Sequence, residues 1–143
     1  MSTHQRERLE RIEQILECLS EETSRGALVI VEGRKDVETL RLIGIQGNIV
    51  TAKTGGKSRL DLLSQIEEDR VEEVILLFDF DRRGREWTET VKEHLERAGV
   101  KPNLTFWNDL LSLAGREVKD IEGLAAYLET LRRKVGQVQI EKA

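Results

Sequence analysis

The sequence predicts an α/β fold: a three-layer α/β/α sandwich around a mostly parallel, four-stranded sheet, with an N-terminal amphipathic helix added. Three observations carry that prediction. Short apolar runs at 27–31, 48–50, 73–81 and 104–107 suit buried strands and are too short to cross a membrane. Stretches with apolar residues at helical spacing lie between them, the alternation that gives parallel strands joined by crossover helices. Two of the strands end in carboxylates, Glu32 after the first and Asp79 and Asp81 after the third. In open α/β sheets ligands collect beyond the carboxyl ends of the strands, so a strand order of 2-1-3-4 would bring both acidic loops to a topological switch point.

The totals set the bounds. A chain of 143 residues is one domain's worth of core. It divides into an N-terminal helix (1–25), a sheet-bearing core (26–107) and a C-terminal helical part (108–143). The net charge of −4 argues against a generally basic nucleic-acid binder and leaves room for a local basic patch. The single cysteine, Cys18, excludes an internal disulfide and a cysteine-based zinc site. No signal peptide or transmembrane run is visible, so the expected location is the cytoplasm, with no membrane partner.

Along the chain, Leu9, Ile12, Ile15, Leu16 and Leu19 recur at helical spacing within residues 3–22. The helix is expected to cover the sheet rather than to dimerise, with Cys18 at the margin of its stripe. Val37, Leu40 and Ile43 mark a helix after the first strand, closed by Gly44. Its positive end adjoins Glu32 and favours phosphate. Asp36, in its first turn, is either a helix-start stabiliser or a metal ligand. After the second strand comes a Gly-rich loop, 51–58, that nearly matches a phosphate-binding P-loop but has Thr51 where the loop needs Gly. Lys53 or Lys57 on that loop could hold a phosphate. Ser58 and Asp61 suggest a capping box for a helix through Leu60, Leu63 and Ile66. A further helix over 84–98 carries Trp87, Val91 and Leu95 on one face. The apolar run 104–107 reads as the fourth strand, followed by a short helical turn over 108–113. Asp120 then suits the N-cap of a helix with Ile121, Leu124, Leu128 and Leu131 on one side.

Chemistry concentrates at Asp79-Phe80-Asp81-Arg82-Arg83-Gly84. Alternate strand residues share a face, so Asp79 and Asp81 point the same way if the third strand runs through them. Side-by-side carboxylates repel, and oxygen donors of this kind suit a hard cation such as Mg²⁺. Arg82, Arg83 and Arg85 beside them could neutralise phosphates or balance the local acids.

Glu32-Gly33 after the first strand and Asp79-x-Asp81 with Gly84 after a later one, in this order, resemble the Toprim domain of topoisomerases, bacterial-type primases, recombination proteins and ribosomal-RNA-maturing nucleases. The match spans about residues 27–107, with Asp36 at the usual acidic position and Gly33 and Gly84 as structural glycines. The setting of Asp120 also looks like the Lys-Asp step that opens a late helix in primase Toprim domains, where a further acid approaches the metal site. The resemblance implies a Rossmann-like sheet and Mg²⁺-dependent (or Mn²⁺-dependent) phosphodiester chemistry on DNA or RNA. Glu32, Asp79 and Asp81 would be the ligands, helped by Asp36 or Asp120. Glu32 would be the general acid or base. Lys53, Lys57, Arg82 and Arg83 would be the phosphate-binding residues. Tyr127 lies in a helical apolar pattern, so no tyrosine nucleophile is expected here. That leaves nuclease-like hydrolysis, or a module working with a partner protein, as a monomer or homodimer. The rival readings are a non-catalytic nucleic-acid-binding or scaffolding module and, third, a P-loop-like nucleotide hydrolase.

Overall fold

A computed structural model describes residues 2–52 and 59–142. Four strands, β1 (Leu28–Val31), β2 (Asn48–Thr51), β3 (Glu73–Leu77) and β4 (Lys101–Asn103), form one sheet in the order β2-β1-β3-β4, with every pairing parallel. The expected architecture and strand order are both present. The central strands read as continuous apolar runs because both of their faces are covered. Val29, Val31, Ile75 and Leu77 face one helical layer: α1 (Ser2–Ser24), α2 (Arg34–Leu42), α5 (Thr105–Ala114) and α6 (Ile121–Lys142). Leu28, Ile30, Val74, Leu76 and Phe78 face the other, made by α3 (Arg59–Glu68) and α4 (Arg82–Arg97).

The N-terminal helix does what its stripe predicts. Leu9, Ile12, Leu16 and Leu19 are buried in the same core as the sheet, against α5 and α6. Cys18 is exposed rather than at the margin of the stripe, because the buried positions step from Leu16 to Leu19 and leave it on the outer face. Gly44 and Gly99 follow α2 and α4 with φ of +98° and +78°, the left-handed conformation that ends a helix and that glycine takes without strain.

Two strand assignments change. The run 104–107 is the entry to α5, not a strand; β4 is the preceding Lys101–Asn103, whose Pro102 suits an edge position. The cause is local. The Thr105 amide donates to Asn103 Oδ1 at 2.9 Å, which turns the chain, and Phe106, Trp107, Leu110 and Ala114 then fall on one buried helical face. The third strand ends at Leu77, not at 81. Beyond it side chains take over the ladder's partners: Trp107 Nε1 donates to Phe78 O at 2.9 Å and the Asp79 amide donates to Glu32 Oε1 at 3.3 Å.

Candidate metal centre at the strand ends

β1 and β3 are adjacent and parallel, with Val31 paired to Leu77, so the residues that follow them meet. Glu32 is buried, at 6 % exposure, and its carboxylate receives the Asp79 amide. Asp79 is half-buried. Burial first, then the Glu32 carboxylate beside it and a side-chain hydrogen bond to that group, push the Asp79 carboxyl up to about 7. Asp36 and Asp120 add repulsion from farther off. Asp36 is itself buried and its pKa is raised, chiefly by desolvation, against the lowering effect of the Gly33 amide. The four acids Glu32, Asp36, Asp79 and Asp120 thus form one electrostatic cluster, drawn from two helix starts and two strand ends.

Most of these carboxylates also have structural work. Asp36 Oδ2 accepts from the Gly33 amide at 3.1 Å at the start of α2. Asp120 Oδ1 accepts from the Gly123 amide at 2.7 Å at the start of α6, as its N-cap reading requires. Asp81 is the N-cap of α4, its Oδ1 accepting from the Gly84 amide at 2.8 Å. Asp79 and Asp81 therefore do not share a strand face: one stands in the loop against Glu32, the other closes a helix. Among the described residues no group of three or more acids, histidines or cysteines is arranged to hold an ion as it stands; the pair in contact is Glu32 and Asp79.

The glycines differ. A Cβ on Gly84 would lie 2.0 Å from Asp79 O, so the first turn of α4 and the acidic loop can touch only because residue 84 has no side chain. A Cβ on Gly33 would meet nothing within 4 Å. Of the basic residues, Arg82 is exposed and pairs with Glu86 at 3.2 Å, and Arg83 lies over the Trp87 ring at 5.9 Å. Arg85 does something the sequence did not suggest: its Nε donates to Phe80 O at 3.1 Å. Lys53, Lys57 and the Ser58 end of the capping box lie outside the described residues. Trp107 and the Lys119 carbonyl were also missed as contributors to the site; the signal available was an indole N–H on a buried helical face, which needs an acceptor.

A cavity of about 740 Å³ opens at the opposite, amino end of the strands, between Leu28, Asn48 and Glu73. The titratable cluster, not that cavity, marks the candidate site, because perturbed carboxyls and strand carboxyl ends coincide there.

The chain is similar to several known proteins. The Toprim domain matches residues 27–107. A UPF0292 protein of Methanosarcina barkeri is 40% identical over 131 residues, covering 92% of this chain and 90% of the relative. One from Methanocaldococcus jannaschii is 35% identical over 85% of this chain and 93% of its own. A solved structure of a protein from Aquifex aeolicus superposes with a TM-score of 0.65 at 30% identity, over 77% of this chain and 94% of that one.

Proposed function

The chain belongs to the Toprim family, and on that footing we propose that it carries out Mg²⁺-dependent phosphodiester chemistry on DNA or RNA, by nuclease-like hydrolysis alone or as a Toprim module acting with a partner protein. The observation that supports this reading is the Glu32–Asp79 pair, two carboxyls in hydrogen-bond contact at neighbouring strand ends with Asp36 and Asp120 adding negative charge. Such crowding raises the energy of the metal-free site and favours a cation. Every donor is an oxygen, which fits Mg²⁺ or Mn²⁺ rather than a soft metal. Glu32 and Asp79 are the residues that would hold the ion, with Asp36, Asp120 and the Asp81 carboxylate as supporting acids. Bound there, a divalent ion supplies charge stabilisation for phosphodiester displacement.

The chain's own residues supply the rest. The Asp79 carboxyl, raised to about 7, keeps its proton up to near-neutral pH in hydrogen-bond contact with Glu32, and Glu32 is the residue we assign to pass a proton to or from a reacting oxygen. Arg82 and Arg83 lie in the first turn of α4, directly after the acidic loop, and we assign them to neutralise backbone phosphates of a bound strand. The test is cleavage of single- and double-stranded DNA and RNA with Mg²⁺ and with EDTA, in wild type and Asp79→Ala. Expected is metal-dependent cutting that the substitution abolishes. Binding without cutting, unchanged in Asp79→Ala and with or without Mg²⁺, would identify a non-catalytic binding module instead.

A further inference from the structure

The loop that presents Asp79 is held from outside the strand–helix unit it belongs to. Phe78 O accepts from Trp107 Nε1 at 2.9 Å, and this bond is buried. The Phe80 amide donates to Lys119 O at 2.6 Å. These two bonds lie on either side of Asp79, one on each adjoining residue. Both come from the C-terminal helical layer: Trp107 is on α5, and Lys119 stands just before α6. The Phe80 and Trp107 rings pack at 6.4 Å between centroids, so the same indole also seats the side chain that follows Asp79. Other bonds of the loop, Arg85 Nε to Phe80 O, the Gly84 amide to Asp81 Oδ1 and the Arg85 amide to Asp81 O, tie its far end to α4. Apart from the two outer bonds, the hydrogen bond that holds the Asp79 backbone among the described residues comes from the Glu32 carboxylate, the group that must itself be placed.

We propose that Trp107 is a positioning residue for Asp79: its indole N–H, with the Lys119 carbonyl, fixes the backbone around Asp79 so that this carboxyl meets Glu32 in the geometry that takes a divalent ion. The proposal rests on the metal-site reading above. A second contact that orients a ligand is worth a large part of the ligand's contribution, since loss of such outer partners commonly weakens metal binding by about 10–100-fold. A core role alone would give Trp107 an effect on stability and none on the ion.

The experiment compares wild type, Trp107→Phe and Leu128→Ala. Trp107→Phe keeps an aromatic ring and removes the N–H. Leu128 is fully buried on α6 in the same core, has an apolar side chain that cannot hydrogen-bond to the loop and serves as the stability control. Mg²⁺ and Mn²⁺ affinities are measured by calorimetry at a temperature where all three are folded. Amide hydrogen exchange at Asp79 and Phe80 is followed in the absence of metal. Expected for Trp107→Phe are about tenfold weaker ion binding and faster exchange at these two amides than in Leu128→Ala. Equal ion affinity and equal local exchange in the two variants would overturn the proposal. If Trp107→Phe will not fold, replacing Trp107 with benzothienylalanine, which puts sulfur in place of the N–H in a ring of the same shape, gives the same comparison. Should wild type take up no divalent ion, the metal-site reading fails, and the exchange data still decide whether Trp107 holds the loop.

Discussion

The two strand-to-helix junctions of the site contain the same kinds of residue, an acid and a nearby glycine, and hold them by different means. Between β1 and α2 there are only two residues, Glu32 and Gly33, and the turn is closed from within by Asp36, three positions on. Between β3 and α4 there are four, residues 78–81, and the loop is closed from a distance by Glu32, Trp107 and Lys119. At the first junction the glycine has open space around it; at the second it is the point of contact between backbone and backbone. A short local turn needs a cap. A longer loop carrying a buried acid needs fixed points supplied by other elements, and a missing side chain where the chain crosses itself.

The largest effect expected from this contrast is at the glycines. In Gly84→Ala the new methyl would sit 2.0 Å from Asp79 O, and since that neighbour is backbone, the loop or the helix must move. Overpacking of this kind costs about 1–3 kcal/mol, and more where the obstacle cannot yield. We expect Gly84→Ala to lose at least about 3 kcal/mol in urea denaturation and to lose ion binding with it. Gly33→Ala, at an extended backbone position with φ −142°, should lose less than about 1 kcal/mol, the scale of an N-cap preference. Similar losses for the two variants would erase the difference between the junctions.

A smaller and pH-dependent effect is expected at Asp79. In the unfolded chain its carboxyl gives up its proton near pH ~4; in the folded protein it keeps it up to about 7. Between those values the folded form binds the extra proton, so stability falls as pH rises through this window and levels off above it. Asp79→Asn removes the titration. Its amide can still donate to Glu32, as the protonated carboxyl does. Without metal the variant should melt close to wild type near pH 4.5 and higher than wild type at pH 8. The gap should be on the order of 1–2 kcal/mol once solvent screening of a half-exposed group is allowed for. Mg²⁺ should narrow the gap by stabilising wild type. Melting curves at the two pH values decide it: a variant less stable than wild type at pH 8 in EDTA would mean that the acids are not in repulsion.

What could be read from the sequence follows the same division. The β1 junction and the helix start at Asp120 depend on local pattern and were legible, and the strand order followed from putting both acidic loops at one switch point. The end of β3 was not, because it is decided by an indole and a carboxylate from 29 and 47 residues away, whose partners no local pattern names. The misplaced fourth strand has a local cause. Residues 104–107 are apolar and short, which fits strand and helix equally; Asn103 turning the chain and the continuation to Leu110 and Ala114 settle the matter for helix. Among the candidate ligands, residue type was enough to find the acids and not enough to rank them.

That ranking gives the smallest prediction. The two aspartates of Asp79-Phe80-Asp81 look equivalent as a motif and are not equivalent in the structure. The carboxylates that press on Asp79 are those of Glu32, Asp36 and Asp120, while Asp81 has an oxygen on the Gly84 amide, one of the donors that the first turn of α4 cannot satisfy within the helix. Removing the cap should therefore act on the helix. Asp81→Ala is expected to lose about 1 kcal/mol, the usual cost of an N-cap acceptor, whereas Asp81→Asn, whose side-chain oxygen caps as well, should lose no more than a few tenths, about 0.3 kcal/mol. Neither change should move the pH dependence attributed to Asp79, since that carboxyl is raised by burial and by Glu32, Asp36 and Asp120, not by Asp81. Urea titrations of the two variants at pH 5 and pH 8 separate the roles. A flat difference from wild type at both pH values marks Asp81 as a cap. A stabilisation of Asp81→Asn that appears only at pH 8 would instead put Asp81 inside the repelling cluster and make the two aspartates equal partners after all.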